Sequence, residues 1–86
     1  MAAAFDVENP PPGASVELYI SPSCPYCAQA LDHYRRAGVA AVVHDAQNDA
    51  AERRRMFSHT GDDPTVPAII INGRYVQSGW GTPPRG

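Results

Sequence analysis

The alternation of apolar and polar positions divides the chain into six segments separated by turn signals. Val16-Glu17-Leu18-Tyr19-Ile20 is a short apolar run of aromatic and β-branched residues, which predicts a buried strand, and Pro22 ends it. Pro25 suits the first position of a helix, where a missing N–H costs nothing. Ala28, Leu31 and Tyr34 then recur at helical spacing, and Gly38 follows Arg35 and Arg36 as a stop signal. Val39-Ala40-Ala41-Val42-Val43 predicts a second buried strand. Asp49, with Glu52 three residues later, makes a capping-box pattern for a helix reaching His59 or its neighbourhood. Gly61-Asp62-Asp63-Pro64 reads as loop. Pro67 to Ile71 predicts a third strand, Asn72-Gly73 a tight hairpin turn, and Arg74 to Gln77 the returning strand.

The predicted order is β-α-β-α-β-β. A helical crossover makes the first two strands parallel and right-handed, and the hairpin makes the last two antiparallel. The fold class is therefore α/β, with a mixed four-stranded sheet and helices on its faces. Residues 1–14, which include Pro10-Pro11-Pro12-Gly13, predict a flexible leader. The folded domain is expected over 15–80 and a flexible tail over 81–86. Ser78 to Gly86 contains no helix-forming stretch.

Composition narrows the function. A chain of 86 residues has room for one domain. A net charge of −2 gives no electrostatic case for nucleic acid or an anionic membrane. No apolar run approaches the roughly 20 residues of a membrane span. The first residues carry Asp6 and Glu8 where a secretory signal would be basic. Two cysteines are too few for a secreted disulfide scaffold, and a lone C-x-x-C beside a βαβ pattern reads as redox chemistry in a reducing compartment. A cytoplasmic location is expected.

Cys24-Pro25-Tyr26-Cys27 carries the candidate chemistry. A thiol pair at this spacing closes a small disulfide ring. A cysteine capping a helix has its thiolate favoured by free N–H groups and by the positive end of the helix dipole, and the thiolate is the reactive species. All seven basic residues are arginines, so lysine is unavailable as a partner for that thiolate. A zinc site would need four ligands, and His33, His44 and His59 lack ligand-like spacing to the pair, so no metal is expected. A binding module with idle cysteines remains the alternative from another class.

The chain resembles the glutaredoxins of the thioredoxin fold. Three segments carry the resemblance: Val16-Glu17-Leu18-Tyr19 leading to Cys24-Pro25-Tyr26-Cys27; Thr65-Val66-Pro67 followed by Ile69-Ile70-Ile71; and the Asn72-Gly73 hairpin. It implies a thiol–disulfide oxidoreductase with no bound cofactor and glutathione as reductant. Cys24 would attack and Cys27 resolve. Pro67 would be the family's cis-proline, turning the Val66 backbone toward an extended thiol peptide that pairs as an added strand. Tyr26, Thr65, Val66 and Pro67 would form the substrate and glutathione surface.

The sequence departs from the family in four places. Ser21 stands where many glutaredoxins carry a lysine. Asp62 and Asp63 occupy a loop that is often basic. Gln77-Ser78-Gly79-Trp80 replaces a Gly-Gly step followed by aspartates, and resembles the Ser-Gly-aromatic step of redoxins that take electrons from thioredoxin reductase and pass them to ribonucleotide reductase. The closing helix of the family is missing, which predicts an apolar face covered by the leader or by a homodimer partner. Trp80 reads equally as a plug for that face and as a docking residue. Arg53-Arg54-Arg55 reads as a solvated helix face from which an arginine can hold a substrate carboxylate.

Overall fold

A computed structural model describes residues 7–86. β1 (Val16–Ile20), α1 (Pro25–Arg36), β2 (Ala41–Asp45), α2 (Ala50–Thr60), β3 (Ala68–Ile71) and β4 (Arg74–Ser78) follow in that order. The sheet runs β2-β1-β3-β4, with β1 parallel to β2 and antiparallel to β3, and β3 antiparallel to β4. This is the mixed four-stranded βαβαββ arrangement of the thioredoxin-like class. Among the described residues no helix follows β4.

The two central strands are buried on both faces, which is why they read as continuous apolar runs rather than alternating ones. Val16, Leu18, Ile20, Ile69 and Ile71 pack with Cys27, Ala30 and Tyr34 of α1 on one face. Tyr19, Ala68 and Ile70 pack with Ala46 and with Met56 of α2 on the other. Period-2 alternation along the strands thus assigns one helix to each layer.

The local signals hold where they depend on few residues. Asn72 and Gly73 both take positive φ, at 53° and 77°, as a two-residue turn whose twist matches its strands requires. Asp49 caps α2 by accepting from the Ala51 and Glu52 N–H groups at 3.0 and 3.2 Å. The reciprocal half of the capping box is not made. The Glu52 carboxylate turns instead to Arg55 at 2.8 Å and to His44 Nδ1, while His44 Nε2 meets Glu17 at 3.0 Å. His44 also stacks on Tyr19 at 4.5 Å, so one ring ties β1, β2 and α2 together.

One expectation is corrected. The second strand lies two residues later than expected and is not buried. It is an edge strand, and Val42 and Val43 are the exposed large hydrophobics among the described residues. Its apolar composition reflects strand propensity rather than core membership, because an edge strand has one neighbour and lies at the margin of the helical layers. The α1 face is covered, and the leader, one of the two covers expected, supplies part of that cover. Val7 and Trp80 join its core, the Tyr34 hydroxyl donates to the Val7 carbonyl, and Trp80 lies edge-on to Tyr34 at 5.6 Å. The described part of the leader thus contributes one core residue, Val7.

Two substitutions test this scheme by chemical denaturation. Tyr34→Phe, which deletes a buried hydrogen bond, is expected to lower stability by about 1 kcal/mol. Asp49→Ala is expected to cost a similar amount, about 1 kcal/mol, through loss of the cap. An unchanged midpoint in Tyr34→Phe would show that the leader does not dock.

Candidate active site

Strand directions bring four loop ends to one end of the sheet. Tyr19 lies opposite Ala68, so the loop leaving β1 meets the loop entering β3. The C-terminal end of β2 joins them, with the Ala46 N–H donating to the Ile20 carbonyl at 2.9 Å. Ser78 pairs with Ala68, which adds the end of β4.

Cys24 stands here as the N-cap of α1. Its backbone is extended (φ −91°, ψ 119°) and its carbonyl accepts the first helical bond from Ala28 at 3.2 Å. Its own N–H donates to the Ser21 carbonyl at 3.0 Å, which fixes the turn that carries it. The sulfur accepts no capping bond from the backbone N–H groups of the first helical turn, and that turn holds no acidic residue. The sulfur thus sits at the positive end of the helix, with no carboxylate in the first turn beside it.

Cys27, one turn into the helix, is 1% exposed among Leu18, Ala30 and their neighbours. Burial pushes its thiol up to about 12 from an ordinary 9.0; a backbone hydrogen bond at Ser21 opposes that rise and the hydrogen-bonded Cys24 side chain adds to it. Both cysteines are free thiols. The structure thus gives chemically unequal sulfurs in contact: one half-exposed at a helix N-terminus, the other buried and protonated at neutral pH.

The remaining expected residues converge on the same end. Tyr26 is half-buried and, with Cys24 and Val66, packs against the α1-face core. Pro67 is fully buried, and the Val66–Pro67 peptide bond is cis. The Thr65 N–H donates to the Asp63 carboxylate at 2.9 Å, a bond that holds the Asp63 carboxyl below its ordinary range.

Beside Val66 opens a cleft of about 320 Å³, walled by Ile20, Ser21, Gln47, Arg53 and Phe57. Neither Asp62 nor Asp63 lines it. The Arg53 guanidinium is held over it by the carbonyls of Ala46 and Gln47, at 3.2 and 3.1 Å from Nη1. Gln47 accepts from the Ser21 hydroxyl and from that of Ser23 at 3.1 Å. Gln47 is the residue that the sequence did not flag, since a polar residue in a loop after a strand carries no signal of what it will face. The histidines sit elsewhere: His44 and His59 against Tyr19, and His33 against Trp80. Among the described residues no group of three or more histidine, cysteine or acidic side chains could hold a metal ion, and no helix is long and apolar enough to cross a membrane.

A paired thiol at a helix N-terminus, on a mixed sheet of this topology, defines a thioredoxin-fold dithiol protein. Comparison with known proteins narrows the class. The glutaredoxin family model matches residues 16–76. Glutaredoxin 3 of Escherichia coli K12 is 33% identical over 63 residues, covering 73% of this chain and 75% of the relative. Glutaredoxin-C15 of Oryza sativa is 31% identical over 68 residues, covering 74% and 65%. Among solved structures, the thioredoxin-like protein BC3987 superposes with a TM-score of 0.68 at 28% identity, over 80% of this chain and 92% of that one. A wheat glutaredoxin gives 0.63 at 22% identity, over 77% and 63%, and supports the fold. The chain belongs to the glutaredoxin family, and its activity is that of a thiol–disulfide oxidoreductase.

The inequality of the two sulfurs has a direct readout. Iodoacetamide at pH 7 is expected to alkylate Cys24 and spare Cys27 unless the chain is unfolded, as peptide mass spectrometry would show. In reduced protein, the raised thiol of Cys27 keeps its proton between pH 9.0 and about 12 while the unfolded chain loses it. Stability is therefore complete below the lower value and declines as pH climbs through that window, by at most about 1.4 kcal/mol per unit. The oxidised form, which has no such proton, is expected to lack this decline in parallel denaturation curves.

Proposed function

We propose that this chain is a dithiol glutaredoxin of the cytoplasm, reduced by glutathione and acting on disulfide-containing proteins. The observation that carries the reading is the half-exposed Cys24 at the N-cap of α1 with the buried Cys27 thiol against it. The Cys24 thiolate attacks one sulfur of a substrate disulfide, forming a mixed disulfide and releasing the other substrate sulfur as a thiolate. Cys27 then attacks the Cys24 sulfur and expels the second substrate thiolate. The proton of the Cys27 thiol and the one that Cys24 released to solvent on ionising end on the two leaving sulfurs, and two electrons pass to the substrate. Two glutathione molecules reverse the sequence on the Cys24–Cys27 disulfide and leave as glutathione disulfide. Potentials of about −200 to −230 mV for glutaredoxins make that reduction feasible.

Substrate contacts fall to Tyr26, Thr65, Val66 and Pro67, with the Val66 backbone as the edge on which an extended thiol peptide pairs. Arg53 supplies what Ser21 lacks. Its guanidinium, steadied by two carbonyls at the mouth of the cleft, suits a peptide carboxylate. The acidic pair Asp62-Asp63 lies off that cleft and does not repel such a ligand from within it. The alternative donor, thioredoxin reductase, is suggested by the Ser78-Gly79-Trp80 step alone. Trp80 is 7% exposed and packed against Tyr34, so its side chain is not free to dock a partner.

Consumption of NADPH, measured with glutathione and glutathione reductase and separately with thioredoxin reductase, decides between the donors. Turnover in the first alone is expected; turnover in the second alone would overturn the glutathione linkage. Cys24→Ser is expected to abolish turnover. Arg53→Ala is expected to raise the KM for glutathione by about 3- to 10-fold with kcat little changed, the size of one exposed charge-assisted contact.

A further inference from the structure

The stretch after β4 takes no part in the exchange chemistry, yet it returns to the site. The Gly79 N–H donates to the Pro67 carbonyl at 2.8 Å, extending the β3–β4 pairing past Ser78. Trp80 and Arg85 then close on each other, with the Trp80 N–H on the Arg85 carbonyl at 2.8 Å and the Arg85 N–H on the Trp80 carbonyl at 3.0 Å. Gly81 to Pro84 make the turn between them. The approach is close enough that a Cβ added to Gly79 would lie 2.8 Å from the Arg85 nitrogen. The indole of Trp80, packed against Tyr34 and His33, anchors the base of this loop.

The loop delivers Gly86 onto Thr65 and Val66. A Cβ added to Gly86 would overlap the Val66 carbonyl oxygen and lie 2.7 Å from Cγ2 of Thr65. The backbone of Gly86 thus rests against the edge assigned above to substrate pairing. The cleft walled by Ser21, Gln47 and Arg53 is lined by no residue of the loop.

We propose that Trp80–Gly86 is a strap that occupies the Val66 edge and sets substrate selectivity: peptide disulfides must displace it in order to pair, whereas a disulfide without peptide groups reaches Cys24 unhindered. This rests on the reading of Val66 as the pairing edge. The competition is intramolecular, so a strap only a few residues long acts at an effective concentration of about millimolar or more. Affinity for a pairing substrate falls by the fraction of molecules whose edge is free, so a strap closed about 90% of the time weakens binding about tenfold. Its hold is one two-bond bridge, an anchored indole and a glycine contact, so a methyl group at the contact point is enough to lift it.

The test uses pre-reduced protein in single-turnover stopped flow against two substrates, a peptide–glutathione mixed disulfide and bis(2-hydroxyethyl) disulfide, which has no amide groups. The proteins are the full chain, Gly86→Ala, and a chain ending at Trp80. Gly86→Ala is expected to speed reaction with the peptide disulfide by about 3- to 10-fold and to leave the small disulfide unchanged. The shortened chain is expected to follow it. Circular dichroism and melting curves establish that each variant is folded, and Gly86→Ala alters only an exposed position, so its result stands if the shortened chain fails to fold. Unchanged or slower peptide reaction in a folded Gly86→Ala overturns the strap, and so does an equal acceleration of both substrates. If the parent chain reacts with both substrates, the exchange chemistry stands whatever the variants do. If it reacts with neither, the exchange reading falls and the strap falls with it.

Discussion

The antiparallel pairing of β1 with β3 is the constraint on which the rest of the molecule depends. Both strands are buried on both faces, so a one-residue slip would exchange the residues facing α1 with those facing α2. Tyr19 must therefore stay opposite Ala68, and that register fixes which loops meet. The turn carrying Cys24 leaves one strand where Thr65-Val66-Pro67 enters the other. The site is a consequence of core packing on both faces of a sheet rather than of any attraction among its own polar groups.

Within that frame, one turn of α1 separates two sulfurs into different environments. Cys24 has the helix N-terminus and partial solvent access, whereas Cys27 is surrounded by core side chains and carries a strongly raised thiol. Identity of residue type and a spacing of three do not make the pair symmetric; depth does. The same depth keeps the second thiol protonated until a mixed disulfide brings a reactive sulfur to it, which restrains idle reaction with solvent oxidants.

Beside Tyr34, the α1 face is covered by small pieces. Val7 from the leader and Trp80 from the segment after β4 fill the α1 face beside Tyr34. Because Trp80 is held there, the residues that follow it have few places to go, and they fold back across the end of the sheet to Val66. Cover for the core and access to the site are thus coupled through one indole.

Features confined to a few neighbouring residues were legible before any coordinates: Pro25 opening a helix behind Cys24, Asp49 capping another, Asn72-Gly73 taking positive φ, and the apolar runs of the central strands. Each depends on local backbone preference, which a short sequence encodes fully. Whether Val42 and Val43 are core or edge, how far Cys27 is from water, which carbonyls steady Arg53, and where Trp80 and Gly86 come to rest were decided only by the tertiary structure. These are properties of partners distant in sequence. Burial and contact at long range depend on strand order and register, and residue type at the position itself does not specify them.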